Sequence, residues 1–137
     1  MRTPWLLALA ICLVVTGCCD CVTSRYANLQ EARDDDLFNR GWLPEILPES
    51  AMAIRTSIDL DLNTSEGEFT IAIEDFDVFI KQLSTVRKPY GRHANHIEKM
   101  QKKGYEPFNY TEELTWFFFC ARESGHCTYM LPYSKRS

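Results

Sequence analysis

The sequence predicts an α+β domain in which a small antiparallel sheet, ending in a C-terminal aromatic hairpin, packs against two to four helices. Three observations lead to this prediction. Apolar and polar residues alternate in two short segments, as they do in strands with one buried face. Elsewhere apolar residues recur at helical spacing. Near its end the chain has two aromatic-rich runs joined by a glycine-containing turn.

The size and composition indicate one ordinary globular domain. The chain has 137 residues, of which 45% are hydrophobic and 25% are charged. Its formal net charge is −4. This balance argues against a general nucleic-acid binder, because phosphate recognition requires concentrated Lys and Arg.

The first seventeen residues have the features of an export signal. Arg2 precedes an uncharged run from Trp5 to Val15, which is shorter than the roughly 20 residues that span a bilayer core and is typical of a signal-peptide core. The stretch Val15-Thr-Gly-Cys18 resembles the lipobox of bacterial lipoproteins. The resemblance implies cleavage after Gly17 and a lipid on Cys18, whereas an ordinary secretory signal is the alternative.

This interpretation divides the chain into a signal peptide (1–17), a lipidated N-terminus and tether (18–25), a single domain (26–133) and a tail (134–137). Asp20 would be the third residue of the mature chain, for which delivery to the outer membrane is the default. We therefore expect a bacterial envelope protein that is held at the membrane by lipid on Cys18 and faces the periplasm.

Export predicts that cysteines pair, because the compartment is oxidising. Cys120 and Cys127 flank a predicted four-residue loop (122–125) that sets them directly opposite each other, about 4.5–5.5 Å apart at Cβ. We predict a disulfide between them, with two buried thiols as the alternative. Cys19 and Cys21 are too close in sequence to bridge each other easily. Three alternatives stay open for them: free thiols, a bond between neighbouring molecules, or no role.

The body of the chain begins with a predicted helix. Asn28 and Glu31 form a capping-box pattern. The helix is expected to continue to about Arg40, and Gly41 fits the left-handed residue that follows a helix end. A second, short helix is expected over residues 50–57.

Two strands are expected next, over residues 58–63 and 69–73, with Gly67 between them. Asp75 is the expected N-cap of a helix, and another helix is predicted over 92–103. In the final hairpin one face is expected to carry Trp116, Phe118, Cys120, Cys127, Tyr129 and Leu131. Because the opposite face is also largely apolar, we expect the hairpin to be central or covered on both sides.

A family resemblance rests on three stretches in the first half of the chain. They are Tyr26-Ala-Asn-Leu-Gln-Glu-Ala32, Leu37-Phe-Asn-Arg-Gly-Trp-Leu-Pro44 and Asp59-Leu-Asp-Leu-Asn63. Together they are similar to the YbbD head domain, a small domain of bacterial exported proteins. The similarity is clearest over residues 25–83. It implies an exported location and a fold, and it offers no catalytic residues.

No catalytic or metal-binding pattern stands out. Asp59, Asp61 and Asn63 resemble the start of a calcium loop, but Thr64 and Thr70 replace the required Gly and bidentate Glu. We interpret these residues as a solvated strand with turn capping. The spaced histidines His93 and His96 are interpreted as solvent-exposed. We expect no enzyme activity, no metal and no cofactor.

The leading functional hypothesis is a non-catalytic binding or accessory module with a protein partner in the envelope. The alternative is an inhibitor or immunity protein that blocks a hydrolase or toxin, and an envelope enzyme ranks third. A rigid hairpin loop suits inhibition, so the candidate partner-binding residues are Arg122, Glu123, Ser124, Gly125 and His126. The oligomeric state is left open.

Overall fold

A computed structural model describes residues 20–88 and 91–132. In this part of the chain, seven strands form one antiparallel sheet in the order β1-β2-β3-β7-β6-β5-β4. The predicted signal peptide, the Cys18 anchor, Cys19 and the tail lie outside the described residues. The elements are β1 (Cys21–Asn28), α1 (Leu29–Asp34), β2 (Met52–Asp59), β3 (Thr64–Thr70), α2 (Ile73–Ile80), β4 (Ser84–Thr85), α3 (Ala94–Lys102), β5 (Glu106–Thr111), β6 (Thr115–Ala121) and β7 (His126–Leu131).

The predicted α+β class is wrong, because the described chain is mainly β. Its three α-helices have only six, eight and nine residues. The helix expected over 50–57 is instead part of β2. Ile54, Thr56 and Ile58 are buried in alternation with the more exposed Arg55 and Ser57, which is the period of a strand and not of a helix. The alternating pattern therefore begins four residues earlier than predicted.

The turn between β2 and β3 also lies elsewhere than expected. It follows Asp59, whose Oδ1 accepts hydrogen bonds from the backbone N–H groups of Asp61 (3.0 Å) and Leu62 (2.9 Å). This confirms the turn capping. Gly67 is inside β3, where a Cβ atom would lie 1.9 Å from the carbonyl oxygen of Arg55. The glycine therefore permits close backbone approach and does not form the turn.

The predicted capping box at the start of α1 is confirmed. Asn28 Oδ1 accepts from the N–H of Glu31 at 3.0 Å, and Glu31 Oε2 accepts from the N–H of Ala27 at 2.7 Å. The helix ends six residues before the predicted Arg40. Asp36 has a φ of 60°, and a left-handed residue there ends a helix because the backbone turns away from the helical path.

Gly41 still has the conformation that the sequence predicts. Its φ is 77°, and the N–H of Trp42 donates to the carbonyl of Leu37 at 2.9 Å. This is the hydrogen bond of a Schellman turn. The turn closes a short non-helical segment after α1.

One side of the sheet, which we call the core face, holds the larger apolar core. It is covered by α1, α2 and the segment between α1 and β2. Phe69, Phe79 and Phe118 meet edge to face there, with ring centroids 5.4–6.3 Å apart, a favoured aromatic arrangement. α2 starts at Ile73, earlier than the N-cap predicted at Asp75.

The opposite side, the second face, is covered by α3 over β5 and β6, and Met130 of β7 packs at the border of this covered part. Ile97 and Met100 of α3 pack with Phe117 and Phe119. The helix predicted over 92–103 corresponds to a 3₁₀ turn (Gly91–His93) followed by α3. The hairpin register is confirmed, and β6 and β7 are central strands.

Two observations bear on the N-terminal part of the chain. β1 begins at Cys21 and pairs with β2, so residues 21–25 of the expected tether lie in the sheet. Among the described residues, no helix has the length and apolar character needed to cross a membrane.

Candidate binding surface

The part of the second face that α3 leaves uncovered is polar. It consists of side chains from β1, β2, β3 and β7, which we call the open polar face: Thr23, Arg55, Ser57, Glu66, Glu68, His126 and Thr128. Because side chains alternate along a strand, the same strands present apolar residues to the core face. His96 and Met100 of α3 border the open polar face, and the groove between them and the strands has a volume of about 300 Å³.

Glu68 is the centre of the charges on this surface. Its Oε1 lies 3.4 Å from Nε of Arg55, and its Oε2 lies 3.4 Å from Nε2 of His126. The other ring nitrogen of His126, Nδ1, is 2.8 Å from the hydroxyl of Tyr105. If Nδ1 accepts from Tyr105, Nε2 carries the proton and points it toward Glu68. Four side chains thus form one polar chain across the face.

These contacts leave the charged groups available to a ligand. The side chains of Arg55 and Glu68 are 45% and 36% exposed, and ion pairs at such a surface contribute little stability. A partner can therefore replace either contact at small cost. The open polar face presents both signs of charge together with Ser and Thr hydroxyls, which is suited to a polar protein surface or peptide.

Arg122, the first residue of the predicted binding loop, is engaged within the protein. Its guanidinium contacts Asp77 Oδ1 at 2.5 Å and Glu106 Oε1 at 3.7 Å, and lies 4.8 Å from the ring centroid of Phe76. The hydrogen bond from Arg122 lowers the pKa of Asp77 and raises that of Arg122. Arg122 therefore joins the hairpin to α2 and β5.

The other four residues of the predicted loop differ in what they contact and in how exposed they are. Gly125 has a φ of 71°, and a Cβ atom there would lie 2.2 Å from the carbonyl oxygen of Ile71. Ser124 Oγ accepts from the N–H of His126 at 3.2 Å. Glu123 and Ser124 are exposed, whereas His126 starts β7 on the open polar face. The five residues therefore do not share one surface, and their role in binding stays a prediction.

Arg55, Glu68 and Tyr105 were not identified from the sequence. The overlooked signal is the alternation of apolar and polar residues around Arg55. It places Arg55 on the face of the sheet opposite to that of Ile54. Nothing local to Tyr105 or Glu68 indicates that they meet at His126, because β3, β7 and the end of α3 are brought together only by the fold.

The predicted disulfide between Cys120 and Cys127 is confirmed, with Cα atoms 4.1 Å apart. Cys21 is also disulfide-bonded, which excludes a free thiol there.

The two histidines of the 3₁₀ turn and α3 contact aromatic rings at an angle. His93 lies 5.7 Å from Phe117 and His96 lies 5.1 Å from Phe119, measured between ring centroids. Burial, followed by the charges of Arg92 and His96, lowers the pKa of His93. Among residues 20–88 and 91–132, no group of three metal-ligating side chains comes together.

Comparison with known families finds a similarity in the N-terminal part of the chain. Residues 20–70 match the model of the YbbD head domain, and this range contains β1, α1, β2 and β3. No curated protein matches the chain, and no solved structure does. Residues 20–70 of the chain are therefore similar to the YbbD head domain.

Proposed function

We propose that this protein is a lipid-anchored, non-catalytic binding module of the bacterial envelope, and that it binds a protein partner through the open polar face. One observation carries the proposal. The second face of a single continuous sheet is covered by α3 over one half and is left polar and accessible over the other. A polar surface of this kind is well solvated when the protein is unbound, and its side chains remain accessible for binding a partner.

The character of the open polar face favours a protein over a small apolar ligand. Small-molecule sites are mostly apolar and enclose the ligand, whereas this groove is partly open and combines the charged side chains of Arg55, Glu66 and Glu68 with apolar side chains at its α3 border. Charged groups of both signs provide specificity and orientation in protein association. We therefore expect a partner whose surface carries both signs of charge.

The membrane anchor is supported by the lipobox resemblance of Val15-Thr-Gly-Cys18. A lipidated Cys18 would hold the folded domain beside the bilayer, facing the periplasm from the outer membrane. The test replaces Cys18 by Ala and fractionates cells. We expect the variant to leave the membrane fraction and to lose labelling by a fatty-acid analogue. Membrane attachment of the Cys18→Ala variant equal to that of the parent would refute the anchor.

Partner capture from envelope extracts tests the binding surface. We expect Glu68→Lys to reduce capture of the partner at least tenfold, because it reverses the charge at the centre of the open polar face. The matched control is Glu123→Lys, which makes the same charge change on an exposed residue of the hairpin turn and should leave capture unchanged.

The same experiment separates the alternative function. If Glu123→Lys abolishes capture while Glu68→Lys does not, the hairpin loop is the binding element and the open polar face is not. Stoichiometric capture of one hydrolase or toxin, with loss of its activity, would favour an inhibitor or immunity protein. The disulfide-linked hairpin with Glu123 and Ser124 exposed at its turn is the observation that keeps this alternative.

A further inference from the structure

Three large apolar side chains are exposed at one end of the sheet. Leu60 and Leu62 lie in the turn between β2 and β3, and Val22 lies near the start of β1. Their exposed fractions are 48%, 57% and 46%. Apolar side chains that remain exposed near one another on a protein surface can mark a contact with a partner or a membrane.

This end of the sheet is also where the described chain begins. The N–H of Leu60 donates to the carbonyl oxygen of Asp20 at 3.1 Å, and Cys21 pairs with Asp59 across β1 and β2. Cys18 is two residues before Asp20 in the sequence. Two residues of chain span at most about 7 Å, so a lipid on Cys18 would enter the bilayer next to the turn.

We infer that the β2–β3 turn, through Leu60 and Leu62, inserts into the interface of the lipid leaflet that holds the lipid of Cys18. The inference rests on the proposed anchor and commits to a lipid bilayer as the occupant of this apolar end. Three acidic residues, Asp20, Asp59 and Asp61, lie in or beside the turn, so the attraction is apolar, and the surface that suits it is zwitterionic and not anionic.

Insertion orients the domain on the membrane. The turn and the start of β1 face the lipid, and the sheet extends away from the surface along its strands. Binding partners therefore reach the open polar face from the side, since Arg55 and Glu68 are farther along β2 and β3 from this turn.

Tryptophan fluorescence in vesicles tests the insertion. The mature lipidated protein carrying Leu62→Trp is reconstituted into phosphatidylethanolamine–phosphatidylcholine vesicles, with and without brominated acyl chains. Relative to the parent protein, we expect the added signal to shift to shorter wavelength and to be quenched at least twofold by bromine. The matched control is Val78→Trp, because Val78 is 63% exposed on α2 and should be neither shifted nor quenched.

The outcomes distinguish this inference from the anchor. If the lipidated protein stays on the vesicles but Leu62→Trp is as unquenched as Val78→Trp, the inference is wrong and the anchor stands. Loss of the protein from the vesicles would instead refute the anchor. Replacing half of the lipid by phosphatidylglycerol should leave quenching equal or lower, and an increase would overturn apolar insertion as the basis of contact.

Discussion

The half of the sheet formed by β1, β2 and β3 and the half formed by β5 and β6 are both antiparallel. Their second faces differ, because the first is polar and the other is apolar. In β2, buried Ile54 and Ile58 alternate with exposed or half-buried Arg55 and Ser57, so only one face is apolar. In β6, all five residues from Trp116 to Cys120 are buried. The difference between the halves is α3, which covers the second face over β5 and β6 and ends before β2. A strand with alternating apolar residues is therefore covered on one face, and a strand with continuous apolar residues is covered on both faces.

The comparison also indicates what the protein leaves for others to bind. α3 carries enough apolar surface, through Ile97 and Met100, to cover half of the second face. The uncovered half avoids exposing apolar area by using charged and hydroxyl side chains. The half that resembles the YbbD head domain is thus the half that carries most of the open polar face.

The largest expected effect separates the two halves of the second face. Phe119→Ala should lower the free energy of unfolding by about 3–5 kcal/mol, because Phe119 is buried under α3. Arg55→Ala on the uncovered half should change it by no more than about 0.5 kcal/mol. Urea unfolding measures both, and Phe119→Leu should give a smaller loss than Phe119→Ala. Equal losses for Phe119→Ala and Arg55→Ala would remove the distinction between the halves.

The disulfide strengthens the covered half. Cys120 and Cys127 are seven residues apart, and closing a loop of this size restricts the unfolded chain by about 2–3 kcal/mol. The double variant Cys120→Ala with Cys127→Ala should lose that amount in urea unfolding under oxidising conditions. Adding reductant to the double variant isolates the contribution of the bond at Cys21. A double variant as stable as the parent would contradict the prediction.

Tyr129 of β7 lies at the boundary between the halves, where it packs against Phe69 and Trp116. Alkaline pH tests how much its burial contributes to stability. Burial raises the pKa of Tyr129 above its ordinary value of 10.0. Burial and a hydrogen bond to Asp35 also raise the pKa of Tyr26. The folded state therefore favours the protonated phenols, so this stability is complete below pH 10.0 and is lost as pH rises toward the raised values.

The measurement is the free energy of unfolding between pH 8 and pH 11. The parent should become less stable above pH 10, and Tyr129→Phe should show a shallower decline. The variant also lacks the hydroxyl that lies 3.4 Å from Ser65 Oγ, a loss of about 1 kcal/mol or less that does not depend on pH. Identical slopes for the two proteins would show that Tyr129 does not titrate on unfolding.

The smallest effect concerns a hydroxyl in the core of the N-terminal half. Thr56 Oγ1 is buried and has no hydrogen-bond partner among the described residues, so Thr56→Val should raise stability by up to about 1 kcal/mol. The matched control is Ser65→Ala, because Ser65 Oγ donates to the carbonyl of Trp42 at 3.0 Å; it should lower stability by about 1 kcal/mol. A destabilising Thr56→Val would mean that the hydroxyl is satisfied.

Local patterns predicted the local structure well. The capping box at Asn28, the left-handed Gly41 and the pairing of Cys120 with Cys127 each depend on neighbouring residues, and each is observed. The prediction of a helix over 50–57 was wrong because Met52, Ala53 and Ile54 form an apolar run that suits either period. Burial against distant strands shows that this segment is a strand. Replacing the predicted helix by a strand is part of the change in fold class from α+β to mainly β.

The candidate site was predicted only in part, because it is built from distant segments. His126 was singled out as a loop residue, and the fold places it in β7 beside Glu68, 58 positions earlier in the sequence. His126 and Glu68 are neighbours because β7 lies beside β3 in the sheet. The order of strands cannot be read from any single segment of the sequence. Arg122 was expected to face a partner; its guanidinium contacts Asp77 on α2 while about half of its side chain stays exposed, and its role in binding stays a prediction.

The last strand of the described chain, β7, is a middle strand of the sheet. β7 pairs with β3 on one side and with β6 on the other, so the two halves have no strand pairing with each other until β7 is in place. During synthesis the N-terminal meander must wait for the final described residues before the sheet becomes continuous. A nonsense mutation near codon 126 therefore does not trim an edge; it divides the sheet into two separate pieces.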